Sequence, residues 1–192
     1  MPVSPGYPIS PPIEPMLAAI ADGLPSGDFL FEPKWDGFRA IVYRGGESDL
    51  YIQSRELKPL DRYFPELHDA LVPQIPPGTV LDGEIVIATD HGLDFEALQQ
   101  RIHPAASRIA KLAKETPTSF VAFDLLAVEG RDIRDRPQEE RREALERMLA
   151  GARPPLHSAS PNKTSTTANR SHCAAPTTSS RPTCCRPSKA RW

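Results

Sequence analysis

No aspartate or glutamate occurs after His157, and the last 35 residues also hold no Ile, Leu, Val, Met, Phe or Tyr. Nowhere in the 192 residues does an apolar run approach the roughly 18–20 that a membrane-spanning helix needs, so a helical membrane protein is excluded. The opening MPVSPGYPISPPIEPM has neither the basic start nor the apolar core of a secretory signal. The expected location is therefore cytoplasmic, with no membrane partner. Cysteine is scarce: Cys173, Cys184 and Cys185 are the three, all in the last 35 residues. They lack Cys-x-x-Cys spacing, which argues against a metal site there even with His172 adjacent to Cys173. Collagen-like and coiled-coil architectures are excluded by the same totals. Proline is the residue in excess, with 22 copies, about twice its usual share.

The formal net charge of −2 hides a division. Residues 158–192 carry 6 Lys and Arg, leaving 17 against 25 Asp and Glu in residues 1–157, a net of −8. The tail holds 13 Ser and Thr, and Trp192 is its only large hydrophobe. Such a segment cannot bury enough apolar surface to offset the entropy of ordering it. Residues 1–157 are therefore expected to form one folded domain. Residues 158–192 are expected to form a disordered, basic, Ser/Thr/Pro-rich tail. The abrupt change of composition also suggests that the tail is read out of frame.

Within the body, β-forming runs fall at 28–33, 37–44, 48–53, 79–88 and 118–128. The second and third flank Arg44-Gly45-Gly46-Glu47 and read as a hairpin. The last ends at the turn-like Glu129-Gly130-Arg131-Asp132. Helices are expected at 64–72, 94–102, 106–114 and 138–150. The last has Pro137 as its first-turn residue, Gly151 just past its end and Leu145, Met148 and Leu149 at helical spacing. Hairpins interrupted by helices, without regular β-α-β alternation, predict an α+β fold built on antiparallel sheet.

The densest chemistry lies in Glu32-Pro33-Lys34-Trp35-Asp36-Gly37-Phe38-Arg39. Lys34 sits between two expected strands, with an acid and a fixed cation within five residues. Ser54-Arg55 ends the hairpin. Asp82-Gly83-Glu84 interrupts an apolar strand, and carboxylates at i and i+2 share one face. A like-charged pair there is costly unless cations or a metal meet it; a strand at a sheet edge with one wet face is the alternative. Phe123-Asp124 lies in another apolar strand, where Phe123 alone reads as a core aromatic.

In this order, Lys34-x-Asp36-Gly37-x-Arg39, Ser54-Arg55, Leu81-Asp82-Gly83-Glu84 and Phe120-Val121-Ala122-Phe123-Asp124 resemble successive motifs of the covalent nucleotidyltransferases. FEPKWDGFRA, DRYFPEL (61–67), FEALQQRIHPA (95–105) and the GRDIR...ERR stretch (130–142) resemble bacterial ATP-dependent DNA ligases in particular. The likeness runs from about residue 12 to His157. It implies an antiparallel-sheet, ATP-grasp-like adenylation domain in an enzyme that seals DNA nicks through a lysine-linked AMP, in repair or recombination.

By resemblance Lys34 is the nucleophile, and the backbone at Glu32 contacts adenine. Arg39 and Arg55 bind ribose or phosphate groups. Glu84 contacts the ribose or a metal-bound water, and Phe123 stacks on adenine. Asp36 and Glu84 are the metal candidates, for Mg²⁺ or Mn²⁺. The implied substrates are ATP and nicked double-stranded DNA, with end-joining repair proteins as further partners.

The family pattern continues with a Glu-Gly strand, a Lys-x-Lys strand and an oligonucleotide-binding barrel, none of which this sequence contains. The expectation is a C-terminally truncated or frameshifted product that adenylylates itself weakly or not at all. An inactive nucleic-acid-binding remnant, or an RNA ligase or capping-type enzyme, are the alternatives.

Overall fold

The computed structural model describes residues 6–16, 29–32, 34–159 and 184–187. Its centre is a six-stranded sheet of β2 (Phe38–Arg44), β3 (Leu50–Ser54), β4 (Thr79–Val86), β7 (Ser119–Val128), β8 (Arg131–Asp132) and β9 (Leu156–Ser158). Spatial order is β3-β2-β4-β7-β8, all antiparallel, with β9 joining β7 in parallel. β1 (Phe29–Glu32) pairs antiparallel with β10 (Cys184–Pro187), and a small ribbon joins β5 (Ala88–Thr89) to β6 (Gly92–Leu93). The helices are α1 (Pro65–Leu71), α2 (Phe95–Gln100), α3 (Ala106–Glu115) and α4 (Gln138–Met148).

Period-two alternation sorts the strands onto two faces. On one, Ala40, Val42, Ile52, Leu81, Ile85, Phe120 and Leu125 pack with Leu67 and Leu71 of α1, Leu98 of α2 and Leu145 of α4. This is the main core. On the other face Ile41, Tyr43, Val80 and Leu126 form a smaller cluster covered by Tyr7, Ile9 and Ile13. A third cluster joins Val86, Val121 and Ala159, with Trp35, Leu93 and Phe123 against it. Asp82 and Glu84 therefore lie along β4 between two apolar patches on the face that no described helix covers.

β2 and β3 form the expected hairpin. Its loop is held by the buried Arg44, whose guanidinium donates to the carbonyls of Gly45, Gly46, Glu47 and Asp49. The wet-edge reading of the Asp82-Gly83-Glu84 strand fails, because β4 is central, paired with β2 and β7. Pro137 caps α4 from outside rather than starting it. The helix ends at Met148 with Leu149 as its cap, short of the expected 150 and of Gly151. Of the expected tail, Ser158 completes β9, Ala159 is buried and Cys184–Pro187 forms β10. The rest of the disorder expectation, with Cys173, His172 and Trp192, lies outside the described residues.

At Gly83 the strand β4 lies tight against β7. A Cβ there would stand 2.5 Å from both the Phe120 ring and the Val121 carbonyl. The backbone oxygen cannot rotate away as a side chain can. Gly83→Ala is therefore expected to destabilise the domain by about 1–3 kcal/mol, the usual cost of forcing atoms into a packed core. A lowered urea midpoint at unchanged slope would register it.

Candidate functional site

Lys34 lies in the connection between β1 and β2, as the sequence predicts, and its side chain is exposed. Trp35 packs half-buried on Val86, Val121 and Ala159, its indole Nε1 buried without a hydrogen-bond partner among the described residues. Asp36 is half-buried. Gly37 is required by contact: a Cβ would fall 2.2 Å from the Ile85 carbonyl and 2.8 Å from Glu84 Cγ. The chain after Lys34 thus lies directly on β4, and the Gly37 amide donates to the Glu84 carboxylate.

Arg39 and Glu84 are register partners across β2 and β4, so Asp82 is Arg39's diagonal neighbour. Arg39 Nε and Nη2 donate to the two oxygens of the fully buried Asp82 at 3.0 and 2.6 Å, and Nη1 donates to the Met16 carbonyl at 2.7 Å. This bidentate bond is the cation that the acidic strand demands. The guanidinium also lies 5.3 Å from the centroid of the Phe123 ring, a cation–π contact. Phe123 sits at a bulge: Asp82 pairs with Asp124 and Gly83 with Ala122, leaving Phe123 as the extra residue of β7. It packs on the same cluster as Val121, two residues before it.

Glu84 is raised to about 7. Burial is the main cause; the charges of Arg39 and Lys34 pull it down, and Asp82 pushes it up. Lys34 is therefore close enough for its charge to act on Glu84. Arg55 is exposed in the turn after β3, and no described contact brings it to the other site residues. Glu32 is buried and bonded to Arg142 of α4 at 2.8 Å.

Four of the residues expected from the sequence share one region, Lys34, Arg39, Glu84 and Phe123, with Asp36 on the segment that joins Lys34 to Arg39. Asp82 and Arg142 were not chosen as site residues. Asp82 had a visible signal, its place two residues from Glu84 in an apolar strand. Arg142 had none beyond its place in the ERR triplet, since its partner Glu32 lies 110 residues away.

Two outcomes follow from this geometry. Asp82→Ala leaves Arg39 without its counter-charge. Because Arg39 keeps some exposure, the expected loss is about 3 kcal/mol, the low end for a broken buried pair, measured by chemical denaturation. Glu84 is more basic folded than unfolded, so its protonation stabilises the fold below about 4.5, and this is lost as pH rises to about 7. In metal-free buffer, denaturation midpoints of the wild type should fall more steeply between those values than those of Glu84→Gln. The difference should be on the order of 2 kcal/mol after allowance for partial exposure.

The ATP dependent DNA ligase domain family matches residues 15–175. DNA ligase C2 of Mycolicibacterium smegmatis is 51% identical over 150 residues, and DNA ligase C of Mycobacterium tuberculosis 54% identical over 145. These alignments cover 78% and 76% of this chain but 42% and 40% of those relatives, so the chain spans less than half their length. Among solved structures, the ligase domain of M. tuberculosis LigD superposes with a TM-score of 0.60 at 30% identity, over 77% of this chain and 46% of that one. A mycobacterial DNA ligase D complexed with ATP and MES gives 0.57 at 29% identity, over 77% and 46%. The antiparallel sheet, the motif-bearing strands and these matches agree: the chain belongs to the ATP-dependent DNA ligase family.

Proposed function

We propose that this domain carries an adenylyl group on Lys34 as the first step of sealing nicks in double-stranded DNA. The neutral Nζ amine attacks the α-phosphorus of ATP. A P–N bond forms, the bond to the bridging oxygen of the β-phosphate breaks, pyrophosphate leaves and the amine gives up a proton. The adenylyl group then passes to the 5′-phosphate of a nick, and the 3′-hydroxyl displaces AMP.

The observation that carries this reading is the packing of the Lys34–Arg39 segment onto β4 at Gly37. It gathers an exposed amine, a fixed guanidinium, an aromatic ring and a half-buried carboxylate on one face of the sheet. Transfer at phosphorus depends on alignment and charge stabilisation more than on covalent help from the protein. In this reading Arg39, held rigid by Asp82, offers its remaining surface to ribose or phosphate. Phe123 provides the platform for adenine, the backbone at Glu32 borders the base, and Arg55 serves the nucleotide or the nick.

The donor set fits a divalent cation of the Mg²⁺ or Mn²⁺ kind. No cluster of three or more His, Cys, Asp or Glu occurs among the described residues. Asp36 and Glu84 offer one or two carboxylates, as suits an ion that completes its shell with water and substrate phosphates. Such an ion supplies charge neutralisation on the phosphates. Asp36 and Glu84 would hold it, and its charge would favour the ionised form of Glu84.

The relatives' names support DNA as the polymer, and the same reading extends to a cytoplasmic setting and to end-joining repair proteins as partners. Among the described residues no helix is long and apolar enough to cross a membrane.

Incubation with α-labelled ATP and Mg²⁺, followed by denaturing electrophoresis, is the test. Label, however weak, should remain on the wild-type chain and vanish in Lys34→Ala. Retention by Lys34→Ala would overturn the reading, and no label on the wild type would favour the inactive-remnant alternative over it. Labelling from GTP in preference to ATP would redirect it to capping chemistry.

A further inference from the structure

The Arg141-Arg142 pair of the ERR triplet takes no part in the chemistry above, yet both guanidinia are buried under the sheet. Arg141 docks α4: its Nε and Nη2 donate to the two oxygens of Asp124 at 2.9 Å each, and its Nη1 donates to the carbonyls of Arg134 and Arg136. Arg142, 3% exposed, reaches further. Its Nη1 donates to Glu32 Oε1 at 2.8 Å and to the Phe123 carbonyl at 3.2 Å, while Nε donates to Glu146 at 3.0 Å.

These two endpoints are not arbitrary. Glu32 ends β1, two residues before Lys34. Phe123 is the extra residue at the bulge of β7 against β4. One nitrogen of one helix residue thus ties the strand leading to the amine to the backbone beneath the aromatic ring. The arrangement is a costly way to hold a helix on a sheet. Arg142 Nη2 is buried with no hydrogen-bond partner among the described residues, and an apolar side chain would serve adhesion alone at less cost.

We infer that Arg142 is a positioning residue for the nucleotide site. It sets the Phe123 ring and the end of β1 relative to one another, and through them the affinity for ATP, without touching the reacting atoms. The effect on ATP rests on the Lys34 reading; the effect on the bulge does not.

Two measurements separate these. Hydrogen exchange of the wild type, Arg142→Met, Arg142→Lys and Arg101→Met reads the bulge directly. Arg101 is another buried arginine, paired bidentately with Glu66. It controls for general destabilisation. Exchange over residues 121–125 should accelerate in Arg142→Met, less in Arg142→Lys, and stay at the wild-type rate in Arg101→Met. Equal acceleration in Arg101→Met, or none in Arg142→Met, overturns the inference.

The second measurement is the ATP dependence of Lys34 labelling. Arg142→Met should raise the half-saturating ATP concentration roughly tenfold while leaving the saturated rate within about threefold, the pattern of lost binding rather than lost chemistry. In a Phe123→Ala background the same substitution should have much less effect, since contacting groups are non-additive. An undiminished penalty there, or a loss confined to the saturated rate, refutes action through Phe123. A wild-type chain with no Lys34-dependent label favours the inactive-remnant alternative over the Lys34 reading, and exchange still decides the positioning role.

Discussion

A buried carboxylate in the middle of a central strand is the constraint around which this domain is arranged. Asp82 has no exposure and apolar neighbours along β4. Arg39, on the adjacent strand, meets both of its oxygens. That pairing holds the guanidinium in one orientation and with it the strand β2. The residues before Arg39 follow, because Gly37 lies so close to β4 that no side chain fits. An exposed amine is thereby brought within electrostatic reach of a second carboxylate, Glu84, whose pKa burial raises to about 7. One ion pair and one close contact account for most of the site's geometry.

The aromatic side of the site lies at an irregularity. Phe123 is the extra residue of β7 at the bulge opposite Asp82 and Gly83, and its ring lies against Arg39. Bulges cost ladder hydrogen bonds, and here α4 supplies one donor to the β7 backbone, from Arg142 to the Phe123 carbonyl, while Arg141 pairs with the Asp124 side chain. Two environments therefore meet on β7: one side faces Arg39 and the other is held by buried guanidinia.

Family membership and site geometry answer different questions. The match over residues 15–175 establishes ancestry. It is the physical arrangement of Lys34, Arg39, Glu84 and Phe123 that makes covalent adenylyl transfer a chemically coherent use of this sheet. The sharing of one face by a fixed cation, a π surface and a carboxylate suits a ligand with a planar base, a sugar and phosphates.

Local information determined a good deal. Alternation and turn residues located every strand of the hairpin and the long strands β4 and β7. Helical spacing located all four helices to within a few residues, because short-range backbone preference and apolar periodicity are properties of contiguous residues. The i, i+2 spacing placed Asp82 and Glu84 on one face for the same reason. Tertiary structure decided the rest. That β4 is central rather than an edge, that Asp82 is the partner of Arg39, that Phe123 occupies a bulge, and that Arg142 reaches Glu32 all depend on strand order, register and a helix packed across the sheet. Those are relations between residues 17 to 110 positions apart, and no local pattern encodes which distant segment will lie alongside.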